Sequence, residues 1–243
     1  MRSAYNDNIG GLARDLTVMS DYVRTMMRSA GHSLLDRDLS AAEGVVSSID
    51  SVEDLRATCE ARAFELLALE APVARDLRQV VSGFHIVEDL ARMAALAVHV
   101  AKTTRRRHPD AVVPEALAPY FREFVRLSDA NSGKLHEVLA TYEPERAMEL
   151  ALDDDAVDDI QHHIMQLTTA REWPHGVTAA VDVVLLSRYF ERYNDHAVNI
   201  GTRVVYLATG MQPAEYEVSR RTEEQQATMR EQFNEIRRRY GEA

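Results

Sequence analysis

Glycine and proline are so sparse in this chain, 10 and 7 among 243 residues, that few places remain for the many tight turns a β-sheet protein needs. Ala, Leu, Arg and Glu dominate the stretches between them, and the expectation is an all-α fold. The punctuation that does occur reads as helix ends. Ser40-Ala-Ala-Glu43 has capping-box spacing, Pro72 and Pro144 suit the first turns of new helices, and Gly210 with Pro213 beyond it reads as a stop. These signals predict helices over about 6–35, 39–69, 73–105, 115–141, 145–171 and 176–209, with Arg105 to Pro114 as the linker.

Three helices precede that linker and three follow it, which suggests an internal repeat. The segment Asp89-Leu-Ala-Arg92-Met-Ala-Ala-Leu-Ala97-Val98-His99-Val100 aligns with Tyr189-Phe-Glu-Arg192-Tyr-Asn-Asp-His-Ala197-Val198-Asn199-Ile200 at an offset of 100, sharing Arg, Ala and Val. Short connections between long helices favour antiparallel neighbours, so each half is expected to be an up-down-up bundle. The predicted organisation is one three-helix repeat over 1–108, a second over 109–212, and a C-terminal helical tail over 213–243.

Charge narrows the function. With 28 Lys and Arg against 39 Asp and Glu, the formal charge of −11 argues against nucleic acid, which needs a surplus of cations on one face. The single cysteine, Cys59, cannot close an intrachain disulfide. The residues after Met1 lack the basic patch and apolar run of a signal peptide, and no stretch approaches the roughly 18 apolar residues that span a bilayer. A cytoplasmic protein with no membrane span is expected.

The residues best placed for chemistry are acidic. Glu191 and Asp195 are four apart on one helix face, with Asn199 a turn further on. Asp154 and Asp158 repeat that spacing on the preceding helix, and antiparallel packing would bring the two strips together. Phe190, Ala197, Gly201, Val204 and Ala208 form an apolar stripe beside Glu191 and Asp195, which places these carboxylates at the bundle's edge. Four clustered carboxylates raise one another's pKa values, and a cation relieves that repulsion. Such an oxygen-rich site suits Mg²⁺, Mn²⁺ or Ca²⁺, and bundle carboxylates also hold iron. The competing reading is a solvated helix face and an acidic helix N-terminus. His162 and His163 follow Asp158 by about a turn and are candidate supporting ligands, while Phe190, Tyr189 and Tyr193 read as packing residues. No catalytic or organic-cofactor motif emerges: Glu172-Trp-Pro-His175 alone has Glu-x-x-His spacing, and Pro174 interrupts it.

Two segments resemble the PhoU family. Leu66-Leu-Ala-Leu-Glu-Ala-Pro72-Val-Ala-Arg-Asp76-Leu77-Arg78 is similar to a family signature in which a Leu-rich helix runs into Gln-x-Pro-Val-Ala-x-Asp-Leu-Arg. Tyr189-Phe-Glu191-Arg192-Tyr-Asn-Asp195-His196-Ala-Val-Asn199-Ile, continued to Gly210, resembles the second-repeat motif Glu-Arg-x-x-Asp-His-Ala-x-Asn-Ile. The resemblance spans about residues 5–211. It implies paired three-helix bundles, homodimers, and negative regulation of phosphate uptake between the cytoplasmic parts of a phosphate ABC transporter and a sensor histidine kinase. It also implies an iron or zinc cluster held in the second repeat by Asp154, Asp158, Glu191 and Asp195. The first repeat departs from the pattern: Ala91 and Ala95 stand where the family has Glu and Asp, and Ile49 and Glu53 replace its Asp pair. That leaves Glu53 with neighbours such as Asp50 or Asp89, too few for a closed shell. One metal site is therefore expected. A metal-dependent phosphohydrolase or oxidase using the same carboxylates, and a metal-free helical adaptor, are the alternatives.

In the tail, Met229, Phe233, Ile236 and Tyr240 recur at helical spacing and make a narrow stripe suited to docking on another helix.

Overall fold

The computed structural model describes residues 2–240, with side chains described over 8–232 apart from Glu70 and Asp153. Every regular element among them is helical. The first half comprises α1 (Arg2–Asp36), α2 (Leu39–Ser47), α3 (Ile49–Glu70) and α4 (Ala74–Arg107); the second comprises α5 (Ala118–Thr141), α6 (Pro144–Thr169), α7 (Gly176–Thr209) and α8 (Pro213–Tyr240). A single turn of 3₁₀ helix, Glu115–Leu117, leads into α5.

Two expected signals act differently from their sequence reading. The second predicted helix is broken at Ser48. There the hydroxyls of Ser47 and Ser48 bond back to the carbonyls of Glu43 and Gly44 at 3.0 and 2.8 Å, and the Ser48 N–H is shared between Gly44 and Val45. Side-chain competition for these carbonyls bends the helix. Ser40-Ala-Ala-Glu43 lies inside α2, whose cap is Asp38, accepting the Ala41 N–H at 3.0 Å. Pro72 likewise does not enter α4. It stands in the extended link behind Ala71, which closes α3 in the left-handed region at φ 42°, and α4 starts at Ala74. Pro144 and Gly210 act as read: Pro144 opens α6, and Gly210 at φ 79° closes α7.

The helices of each half pack as antiparallel neighbours. Phe64 meets Phe84 edge-on between α3 and α4. Gly201 on α7 lies against the Ala147 carbonyl on α6, where a Cβ would stand 2.8 Å from that oxygen. Between the halves, α1 packs on α5 and α4 on α7. One apolar cluster runs through both, from Leu12, Leu16 and Met19 to Phe190, Ile200 and Val204.

The α4–α7 seam is antiparallel. Asp89 bonds His196 at 2.8 Å, His99 stacks on Tyr189, and Arg106 and Arg107 reach the buried Asp182 at 2.8 and 2.6 Å. The α5–α7 contact is a buried polar network. Asn131 donates to Asn194 at 2.9 Å, Asn194 donates to Ser128 at 3.0 Å and to the Phe190 carbonyl at 2.8 Å, and Ser132 bonds the Tyr193 hydroxyl at 2.8 Å. Phe190 stacks on Phe124 beside it. Tyr189, Phe190 and Tyr193 are thus packing residues.

Helix α8 touches the body mainly through α7, and Tyr216 bonds Glu145 at its base. Met229 is exposed, and the side chains of Phe233, Ile236 and Tyr240 lie outside the described residues. No helix is long and apolar enough to cross a membrane among the residues described.

Because the Gly201 contact is with backbone, Gly201→Ala must push α6 from α7 and is expected to cost about 1–3 kcal/mol. Gly44, whose added Cβ meets nothing within 4 Å, is expected to gain roughly 0.5–1 kcal/mol as Ala. Urea-denaturation midpoints of the two variants, moving in opposite directions, check both.

Candidate functional site

Glu191 and Asp195 occupy successive turns of α7, and Asp154 and Asp158 successive turns of α6. The network on the α5 side fixes the rotation of α7 through Tyr193 and Asn194, and His196 points to Asp89 on α4. What remains for Glu191 and Asp195 is the α6 side, facing Asp154 and Asp158. The four carboxyl groups form one electrostatic unit. Burial, and then the charges of Asp158, Asp195 and Glu191, push Asp154 up to about 7. Burial and Asp195 raise Asp158, and burial and Asp195 also raise Glu191 against the opposing pull of Arg188.

The site is deeper than an edge position. Glu191 is 7% exposed, Asp154 and Asp195 are half-buried, and only Asp158 is exposed. The apolar stripe that suggested an edge is itself buried, and Glu191 sits beside it rather than outside it. Two oxygens, Asp154 Oδ1 and Glu191 Oε2, are buried with no hydrogen-bond partner. A buried acceptor left unpaired is costly. Protonation of Asp154 relieves part of that cost, and a cation would relieve it at both oxygens.

Arg188, three residues before Glu191, bonds Glu191 Oε1 and is the one cation bonded to the cluster among the described residues. The sequence signal for it is its place on the same helix face. With Arg188 engaged, no three acidic, His or Cys side chains among the described residues stand close enough to hold one ion together. The donor chemistry nevertheless fits a hard or borderline cation: four carboxylates, two of them carrying an unpartnered buried oxygen. Closing on an ion requires side-chain rotation, with Glu191 Oε2 free to turn to it while Oε1 stays on Arg188.

The histidines take other partners. His163 bonds the Tyr120 hydroxyl on α5 at 3.0 Å, His196 bonds Asp89, and His162 is exposed. Asn199 is exposed as well. At the corresponding place in the first half, Arg56 draws in Glu60 at 2.9 Å, Glu53 at 3.9 Å and Glu88. Glu88 occupies the repeat position of Arg188, so the two halves reverse the sign of one charge. Arg56 thus draws three carboxylates onto one guanidinium, and Asp89 is committed to His196.

Comparison with known proteins bears on the two-repeat helical architecture. The PhoU domain model matches twice, over residues 16–104 and 122–204, once in each half. The chain belongs to the PhoU family. It is 45% identical over 213 residues to the phosphate-specific transport system accessory protein PhoU homolog 2 of Mycobacterium tuberculosis, covering 88% of this chain and 100% of that one. To PhoU homolog 1 of Mycobacterium leprae it is 43% identical over 213 residues, covering 88% and 96%. The crystal structure of PhoU from Pseudomonas aeruginosa superposes with a TM-score of 0.80 at 24% identity, over 85% of this chain and 100% of that one. The phosphate transport system regulatory protein PhoU from Streptococcus pneumoniae gives 0.78 at 21%, over 86% and 98%. Helix α8 lies beyond the residues matched to the PhoU domain.

The raised Asp154 pKa sets a pH dependence. Between the unfolded value near 3.8 and the folded value of about 7 the folded state holds more protons, so this group lowers stability as pH rises through that window. In metal-free protein, Asp154→Asn is expected to raise the melting temperature more at pH 8 than at pH 5 and to flatten the decline between them. Thermal melts in chelator across that range check this.

Proposed function

We propose that this protein is a non-enzymatic cytoplasmic regulator of phosphate-specific transport. In this reading it contacts the cytoplasmic parts of a phosphate ABC transporter and a sensor histidine kinase, and damps the phosphate-starvation response when phosphate is plentiful. The observation that carries the reading is the PhoU-domain match in both halves, together with relatives named as accessory proteins of phosphate-specific transport. Action by contact is supported by two exposed apolar ladders at repeat-related positions, Leu77 and Val81 on α4 and Val177, Val181 and Leu185 on α7. Their recurrence at the same helical positions of both halves is what singles them out from scattered exposed apolar residues. A two-fold homodimer is the default symmetry for self-association.

In the same reading Asp154, Asp158, Glu191 and Asp195 hold a metal ion or cluster, iron or zinc by family resemblance, with Mg²⁺, Mn²⁺ or Ca²⁺ also matched to the donors. A bound metal supplies the positive charge that the cluster lacks. Arg188 holds Glu191 Oε1, and the unpartnered Oε2 is the oxygen open to the ion.

Deleting the gene is expected to leave phosphate uptake and the starvation response switched on in phosphate-rich medium, with wild-type protein restoring repression; unchanged uptake would refute the regulatory reading. Elemental analysis of purified protein beside an Asp158→Ala, Asp195→Ala double variant is expected to find about one site's worth of metal, lost in the variant. Absence of metal from both would leave a helical adaptor.

A further inference from the structure

The seam between α1 and α5 opens into a cleft of about 430 Å³ on a face distinct from the carboxylate cluster, lined by Arg28, His32, Leu35, Arg122, Val125 and Arg126, with Asp36 and Asp129 also on its walls. Its floor is set by Gly31, whose missing Cβ lets Val125 come into contact with the α1 backbone. Above that floor α1 presents Arg28 and His32 one turn apart, and α5 presents Arg122 and Arg126 one turn apart. Opposed cations on two helices are unexpected in a chain of net charge −11.

The pairing inside the cleft leaves a defined surplus. Asp129 is satisfied by a two-pronged bond from Arg24 at 2.8 and 3.0 Å, and its carboxyl is held below the ordinary range chiefly by that bond. Arg126 is held by Glu123 at 2.9 and 2.6 Å. Arg28 and Arg122 have no salt-bridge partner among the described residues, and Asp36 is the one lining carboxylate without a cation of its own. Two guanidinium forks, from opposite walls, therefore face the cleft. His32 adds a ring N–H in either protonation state.

We propose that this cleft is a binding site for the phosphoryl group of a small anion, with Arg28 and Arg122 as its principal ligands and His32 as a third donor. A carboxylate is planar and is satisfied by one guanidinium fork, whereas a phosphoryl group offers three or more oxygens that donors on opposing walls can share. The volume falls within the roughly 300–1,000 Å³ of small-molecule sites, and Leu35 and Val125 give an apolar surface for an organic moiety. Free inorganic phosphate and a nucleoside polyphosphate share the recognised chemistry. This site is independent of the transport reading, since its test is direct binding to the isolated protein.

The test is isothermal titration of the full chain with inorganic phosphate and, separately, with ATP, both in chelator so that metal at the carboxylate cluster cannot bridge. The Arg28→Ala, Arg122→Ala double variant is expected to bind at least about tenfold more weakly, while Arg230→Ala on α8 binds as wild type. Should the double variant lose its helical circular dichroism, Arg28→Lys with Arg122→Lys keeps the charge, removes the forks and is expected to weaken binding as well. Saturation by inorganic phosphate assigns the site to the free anion; saturation by ATP alone assigns it to an organic phosphate. No saturation by either in the millimolar range, or affinity unaltered in a folded arginine variant, overturns the proposal.

Discussion

Everything in this molecule is referred to the antiparallel seam of α4 on α7, two helices of 34 residues each. Each carries the core of its own half and at the same time faces the other, so two three-helix units share one apolar interior. The polar contacts along the seam give it register. Asp182 is buried and takes bonds from both Arg106 and Arg107. Such a buried carboxylate is tolerated because it is fully paired, and removing its partners would leave an uncompensated charge. Its contribution is therefore to hold one register against neighbouring ones, with apolar burial supplying the bulk of the stabilisation.

Register on the seam decides orientation at the site. Helix α7 is surrounded by α4, α5 and α6, and its side chains are distributed accordingly: His196 to α4, Tyr193 and Asn194 to α5, Glu191 and Asp195 to α6. A rotation of α7 that moved the carboxylates away from α6 would break the Asn131–Asn194–Ser128 network and the His196–Asp89 bond together. Costs of that kind let four acids be held close to one another despite mutual repulsion. The two unpartnered oxygens mark where the cost is concentrated.

The helix boundaries were legible in the sequence because their signals are local: Pro144 and Gly210 act on their own backbone whatever surrounds them. The misread signals were also local, but ambiguous. Ser40 with Glu43 satisfies the same pattern as a true cap, and only the chain path shows that Asp38 comes first. The four carboxylates were legible as two i, i+4 pairs, since antiparallel packing of consecutive helices follows from the short connection between them. The burial of Glu191 was not, because it depends on how closely α6 approaches α7, and that is set by Gly201 against Ala147. Nor was the gathering of first-half acids on Arg56, which meets Glu88 across 32 positions of sequence.

The two halves show how one scaffold can keep or discard a charged site with few changes. Both place a charged residue at the repeat position shared by Glu88 and Arg188, and each pairs it with the opposite charge available nearby. In the first half the acids Glu53, Glu60 and Glu88 gather on Arg56, and Ala91 and Ala95 replace the carboxylates of the partner helix. There the acids are gathered on a central guanidinium, and no carboxylate oxygen among the described residues of that half is buried without a partner. In the second half Arg188 bonds only Glu191 of the four acids, Asp154 Oδ1 and Glu191 Oε2 stay buried and unpartnered, and burial together with the neighbouring acids pushes Asp154 up to about 7. The unpartnered buried carboxylate oxygens among the described residues lie in the second half, so that is where a proton relieves the cost of gathering acids on this scaffold.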